Sequence, residues 1–459
     1  MKKLIGFFTM ISFCFAGFGQ GIYDNVGVIV NDNSQVSLEI GEYFRQSRNI
    51  PTENIIHIHT VTDEIIDTTE FRNIQYQVKN YILDNSLENK LEYMVTTKGV
   101  PFDIQVDSCV VGPPNTFQWC SSVESELMLL LSADSAKILK KGMTLNPYYG
   151  DTSYFSRQNY DLLLVSRLDG YTRQDVFDLI DRTGPATYAD KQHGKFIFDI
   201  SYSQDTIITN LFKDMMQPAV DSLIERGWNV FLDIDNEIPT DQENVLGFVG
   251  FFQEIITFDL NYSWEKGSFA ELLVAGPEFT FYDSLNSTNN LSLADLLMEG
   301  CGGASGYIHP TYAAQLLDYP MYFTRYYSEK RQPYNLAESY YMATKTLSWG
   351  NILIGDPKTT ITTEGGSSID NPEYFDELTL FPNPATDQIN IRFRAKTAGE
   401  ITLSVVDQLG KTVMKESFSA TEDRNQYILN TENLPAGLWF VGISGESGLP
   451  EYRKIIIRK

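Results

Sequence analysis

Lys98, Arg167, Asp169 and His309 are the residues of this chain whose types and positions suit catalysis. Lys98 follows the apolar run 92–96 (EYMVT) by way of Thr97, and Arg167 and Asp169 follow the run 161–166 (DLLLVS). Two cations and a carboxylate at the ends of strands can grip a polar substrate, and a hydrolase could be built around them. The competing reading is structural: Arg167 and Asp169 pair with each other, and Asp169-Gly170 is a turn signal by itself. Asp199, Asp233 and Asp235 end later apolar runs, and together with Thr96 and Thr97 they would fall on the same rim of a parallel sheet.

Two spacings suit metals. Asp233, Asp235 and Glu237 put oxygen ligands at alternate positions, as a hard cation such as calcium needs. The glycine and the twelve-residue frame of an EF-hand are missing, so an acidic loop is the plainer reading. His57 and His59 share one face of a strand at i, i+2, a spacing that can ligate zinc, but the sequence sets no third ligand. There is no Gly-rich phosphate loop, no G-x-S-x-G elbow, no H-E-x-x-H and no C-x-x-C, and no cofactor is expected.

The elements that would hold these residues alternate. Residues 26–30 (VGVIV) form a continuous apolar run, as expected of a strand covered on both faces. Ser34 caps a helix with Val36, Ile40, Tyr43 and Phe44 on one face. Residues 54–59, 92–96, 161–166, 195–200 (KFIFDI) and 229–234 (NVFLDI) read as further strands. Thr172 with Asp175 makes a capping box, and a helix opens at Ser292 and ends at Gly300 before the run 304–308. This rhythm predicts an α/β domain, a mostly parallel sheet with helices on both faces. From 380 onward the period changes to two: Ile389, Ile391 and Phe393, then Ile401, Leu403 and Val405, alternate with polar residues between turn signals, which predicts a small all-β sandwich. The expected divisions are a signal peptide at 1–20, the α/β domain at 21–362, a Gly/Ser/acidic linker at 363–377 and the β domain at 378–459.

A formal charge of −25 argues against nucleic acid and anionic membrane surfaces as partners. Lys2 and Lys3 precede an apolar run and small residues, the pattern of a secretory signal peptide, and no later stretch is long enough to span a membrane. In an oxidising compartment Cys109 and Cys120, which bracket the loop VVGPPNTFQW, are expected to form a disulfide, leaving Cys301 as a lone thiol.

The segment LFPNPATDQINI (380–391), the later LPAGLWFVGI and the basic ending YRKIIIRK together resemble the C-terminal sorting domain of the type IX secretion system of Bacteroidetes-type bacteria. The resemblance implies that this machinery is a partner and that the protein is secreted or displayed on the outer cell surface, where its ligand is unknown. YMVTTKGVP (93–101), SVESELMLL (122–130), LLVSRLDG (163–170) and the block from LADLLMEG to NILIGDP resemble an uncharacterised family of exported bacterial proteins. That last block also resembles the end of the gingipain-type cysteine peptidase domain, which implies a caspase-like fold. The gingipain chemistry needs a thiolate and an imidazole. Where its histidine is expected the chain reads Val249-Gly250-Phe251-Phe252-Gln253-Glu254, and the stretch 269–279 that should present the nucleophile has no cysteine. Cys301 and His309 stand across one predicted strand, ~25 Å when extended against a hydrogen-bond reach of ~3 Å. Gingipain-type peptidase activity is therefore not expected.

Overall fold

The computed structural model describes residues 21–105, 121–134, 137–139, 144–200, 206–234, 239–252, 260–274, 291–308, 316–328, 333–363, 375–395, 398–407, 411–445 and 451–459. Cys109, Cys120, Asp235, Glu237 and His309 lie outside these residues, and so does the expected disulfide. The chain divides into two compact units, Met1–Thr363 and Glu364–Lys459.

The first unit is built on a ten-stranded sheet. Its strands are β1 (Val26–Asn31), β2 (Ile55–Ile58), β3 (Tyr93–Thr97), β4 (Leu164–Leu168), β5 (Lys195–Asp199), β6 (Asn229–Asp233), β7 (Val245–Phe252), β8 (Trp264–Val274), β9 (Ala304–Tyr307) and β10 (Asn351–Ile354). Their order across the sheet is β6-β5-β7-β8-β9-β10-β4-β3-β1-β2. The central strands read as unbroken apolar runs because both faces are covered: every residue of β1, β3 and β4 is buried. Helices Gln35–Arg48, Arg173–Asp181 and Leu293–Glu299 line up in one row. Helices Thr206–Glu225, Tyr319–Tyr326 and Leu336–Ala343 form another.

The sheet is parallel within β2-β1-β3-β4 and within β6-β5-β7-β8-β9. Each block therefore repeats one winding, in which the second strand lies outside the first and the third and fourth continue on the other side. This repeat of topology has no counterpart in the sequence pattern. β10 joins the blocks. It runs antiparallel to β9 and meets β4 at one bridged pair, Ile354 with Arg167. That bridge is parallel in its hydrogen bonding, but it lies beside Gly355, where φ is 139°, and a single pair does not fix the direction of the two blocks. The helices do. Tyr171, just before helix Arg173–Asp181, hydrogen-bonds Ser292 and Asp295 at the start of helix Leu293–Glu299. Arg182, just after the first of these helices, donates to the carbonyls of Leu297 and Cys301 at the end of the second. The two helices run the same way, so β4 and β8 do too, and the carboxyl ends of both blocks open on one side.

The opposite rim is tied by a buried anchor. Asp356, just past β10, accepts from Arg48 Nε and from the Tyr23 hydroxyl, each at 2.7 Å. Arg48 also donates to the carbonyls of Ile180 and Thr183. One carboxylate thus joins the entry to β1, the end of the first helix and the end of the chain's passage through the sheet.

The second unit has two antiparallel sheets. β11 (Phe375–Phe381), β12 (Gln388–Ala395) and β15 (Asp423–Asn430) form one, in the order β11-β12-β15. β13 (Gly399–Val406), β14 (Thr412–Ala420), β16 (Gly437–Ser444) and β17 (Glu451–Ile457) form the other, in the order β14-β13-β16-β17. Ile389, Ile391 and Phe393 of the first sheet share a core with Leu403, Val405, Val441 and Ile455 of the second, which is the alternation read from the sequence.

Replacing Asp356 by Ala leaves the largely buried Arg48 guanidinium without its carboxylate. Breaking one side of a buried pair costs about 3–5 kcal/mol. Urea unfolding of D356A should show a loss of that order in the first unit.

Candidate functional site

The carboxyl ends of β3 and β4 carry three of the four catalytic candidates. Thr96 and Arg167 are register partners, so their side chains stand next to each other. The Lys98 N–H donates to the Leu168 carbonyl at 2.9 Å, which sets Lys98 beside Asp169. Gly99 follows with φ at 94°, and a Cβ there would meet Ser34 Oγ at 2.2 Å, so this turn requires glycine.

Arg167 is 1 % exposed. Its Nε donates to Asp169 at 2.6 Å and its Nη1 to Glu124 at 2.9 Å. Its remaining contacts are the Thr96 hydroxyl at 3.4 Å and the Val100 carbonyl at 2.6 Å, with the Phe102 ring 5.3 Å from the guanidinium carbon. Lys98 Nζ lies 3.3 Å from the other oxygen of Asp169, and that oxygen also accepts from the Gly170 N–H at 2.8 Å. Glu124 accepts from Thr96 at 2.6 Å, while its second oxygen is buried without a hydrogen-bond partner among the described residues. The cluster holds two cations and two carboxylates, and Asp169 and Glu124 keep Arg167 firmly protonated against its burial. The guanidinium is spent on protein partners. Lys98, with its side chain a quarter exposed, is the member that reaches solvent. As chemistry this is a bolt with one accessible ammonium.

Sequence reasoning missed Glu124. It sits in the first turn of the short helix Val123–Leu127, capped by Ser122, and Ser122 Oγ donates to the Asn351 carbonyl of β10 at 2.7 Å. The signal was the pair of acids in SVESE, too hydrophilic for a segment in which every residue from Val123 to Leu127 is buried.

The other candidates are set apart. Asp199 and Asp233 are register partners at the ends of β5 and β6. Five strand steps separate β5 from β4, which is ~24 Å at ~4.8 Å per step. They share a rim with Lys98 and Arg167 but not a cleft. His57 and His59 both face Asp32, with Nδ1 of the first 2.6 Å and Nε2 of the second 3.5 Å from its oxygens. Among the described residues no group of three His, Cys, Asp or Glu is arranged to hold a metal.

Cys301 is fully buried after Gly300, the positive-φ cap of helix Leu293–Glu299. Its thiol donates to the Gly303 carbonyl at 3.0 Å, and burial pushes its pKa up to about 11. Desolvation is the largest cause of that rise, and the Gly303 carbonyl and the Ser268 hydroxyl offset part of it.

A second buried acid had no sequence signal. Glu271 of β8 is ringed by hydroxyls: Ser305 at 2.8 Å, Tyr319 at 3.3 Å, and Tyr307, with Tyr340 nearby. Burial raises its pKa to about 7, and these hydroxyls offset part of the shift.

Residues 379–458 match the family model described as a secretion system C-terminal sorting domain. An endo-acting ulvan lyase of Formosa agariphila is 29 % identical over 98 residues, 21 % of this chain and 18 % of the lyase. Dimeric latent PorU of Porphyromonas gingivalis superposes with a TM-score of 0.16 at 10 % identity, covering 23 % of this chain and 10 % of PorU. A β-glucosidase of Listeria innocua in complex with isofagomine superposes with a TM-score of 0.15 at 11 % identity, covering 62 % of this chain and 50 % of the enzyme. The chain thus spans half or less of each of these proteins, and superpositions this loose carry no argument about its fold or activity. The sorting domain marks the protein for export, to the outer cell surface or into the medium.

Two predictions follow from the buried groups. Arg167→Met would leave Glu124 buried without a cation and Asp169 with Lys98 alone, and chemical denaturation should show about 3–5 kcal/mol lost; Arg167→Lys should recover little of it, because an ammonium cannot span both carboxylates. Glu271 binds its proton more tightly folded than unfolded. Its stabilising effect is therefore complete below the ordinary glutamate pKa, ~4.3, and is lost as pH rises through about 7. The melting temperature of Glu271→Gln relative to the natural protein should accordingly climb between pH 5 and pH 8.

Proposed function

We propose that the first unit is a gingipain-like, caspase-like α/β domain that works at the cell surface as a binding module, without thiol catalysis. The domain would run from 21 to 362 behind a signal peptide, joined by a linker at 363–377 to the sorting domain at 378–459. The observation that carries this reading is the state of Cys301. A nucleophilic cysteine needs an exposed, depressed thiolate. This one is inaccessible and is held as a thiol at neutral pH. Its ligand would be a glycan or protein of the surface, met at the strand carboxyl ends. The lyase activity named for the Formosa protein forms no part of the proposal, since that likeness covers about a fifth of each chain.

A second reading, a hydrolase working through other residues, is favoured by the approach of Lys98, Arg167 and Asp169 to one another. Against it, Arg167 has no exposed surface to offer a substrate. A screen of the purified protein on peptide, ester and glycan substrates, with and without chelator, separates the two: turnover that Lys98→Ala abolishes would establish the hydrolase.

Iodoacetamide should leave Cys301 of the native protein unmodified and alkylate it after denaturation, as read by peptide mass. Cys301→Ala should leave any measured activity intact. Peptidase activity lost on that substitution would sink the binding-module reading.

A further inference from the structure

The two ends of the sorting domain, the FPNP segment and the basic terminal strand, touch. β17 pairs along its whole length with β16 on one side. On its other side no strand among the described residues pairs with it. The segment 383–385 takes that place. Asn383 Nδ2 donates to the Lys454 carbonyl at 2.9 Å, and its Oδ1 accepts from the Ile456 N–H at 2.9 Å. Ala385 continues the pattern: its N–H donates to the Ile456 carbonyl and its carbonyl accepts from the Arg458 N–H, each at 2.8 Å. One asparagine side chain and one alanine backbone together stand in for a neighbouring strand.

The consequence concerns register. Along β17 and the residue after it, Ile455 and Ile457 point into the core while Lys454, Ile456 and Arg458 face outward. A slip of one residue would exchange the two sets and turn the cations inward. A primary amide gripping one carbonyl and one N–H two residues apart opposes that slip, because a shift of one residue would turn both backbone groups to the other edge of the strand. The flanking prolines, Pro382 and Pro384, limit the backbone on either side of it.

We propose that Asn383 is the positioning residue of the export signal, holding the terminal strand against a one-residue slip so that the secretion machinery can read its outward row. This rests on the assignment of residues 379–458 as a sorting domain. The test uses the full-length chain in a bacterium that carries the type IX machinery, with cell fractionation as the readout. Asn383→Ala should reduce the exported fraction at least tenfold, with accumulation in the periplasm. Ile391→Val, which removes one methylene group from the same core, should export normally. Hydrogen exchange on the purified Asn383→Ala protein should quicken at Ile456 and leave β12 and β15 unchanged. Normal export of Asn383→Ala would overturn the proposal. So would an equal export loss in Ile391→Val, or exchange quickened throughout the unit, either of which would reduce Asn383 to a stability residue. A chain lacking 379–459 tests the underlying assignment separately: it should stay in the periplasm, and its export would refute the sorting reading itself.

Discussion

Asn351–Ile354 is four residues long, and the ten-stranded sheet is not continuous without it. β4 and β9 do not pair with each other; β10 lies between them, bonded along its length to β9 and through Ile354 to β4. Remove it and the sheet falls into a block of four strands and a block of five, each with an exposed central edge. Its surroundings reflect that duty. Ser122 bonds the Asn351 carbonyl at one end, and Asp356 anchors Arg48 and Tyr23 just beyond the other. The helix carrying Glu124 starts at that same Ser122, so the strand that joins the blocks also helps to set the carboxylate that meets Arg167.

The interior holds charge in two different ways. Around Arg167 the charges balance, and each ionised group meets a partner of opposite sign or a hydrogen-bond donor. Such clusters add little net stability over an apolar core but are costly to unbalance, and they fix which elements meet. Glu271 has hydroxyls for company instead of a cation. Burial raises the hold on its proton, and the hydroxyls, which can donate to the ionised form or accept from the protonated one, offset part of that rise.

Much of this was legible in the chain. The runs VGVIV, EYMVT and KFIFDI read as buried parallel strands and are. The Thr172–Asp175 capping box and the Ser34 and Ser292 caps lie where the residue types indicate. What escaped has physical reasons. β8 carries Glu265, Lys266, Ser268 and Glu271 among its apolar residues, and Glu271 is buried against hydroxyls of the neighbouring strand β9 and of helix Tyr319–Tyr326. β7 is interrupted by Gly247, where a Cβ would meet the Phe196 ring at 2.4 Å. β10 is too short to show a period. Lys98, Arg167 and Asp169 were legible as a group because each ends an apolar run. Glu124 was not, since its place depends on how a one-and-a-half-turn helix meets a strand far away in sequence. The separation of Asp199 and Asp233 from that group followed from strand order, which local pattern does not encode.

The position of β10 late in the chain, ahead of the sorting domain, has a bearing on synthesis. Translation that stops anywhere before 351 yields a sheet still in two pieces, and the same truncated product lacks residues 379–458. The address is written only on chains whose last structural strand has already been made. Proofreading of completeness thus needs no separate inspector: an unfinished product carries no label for export.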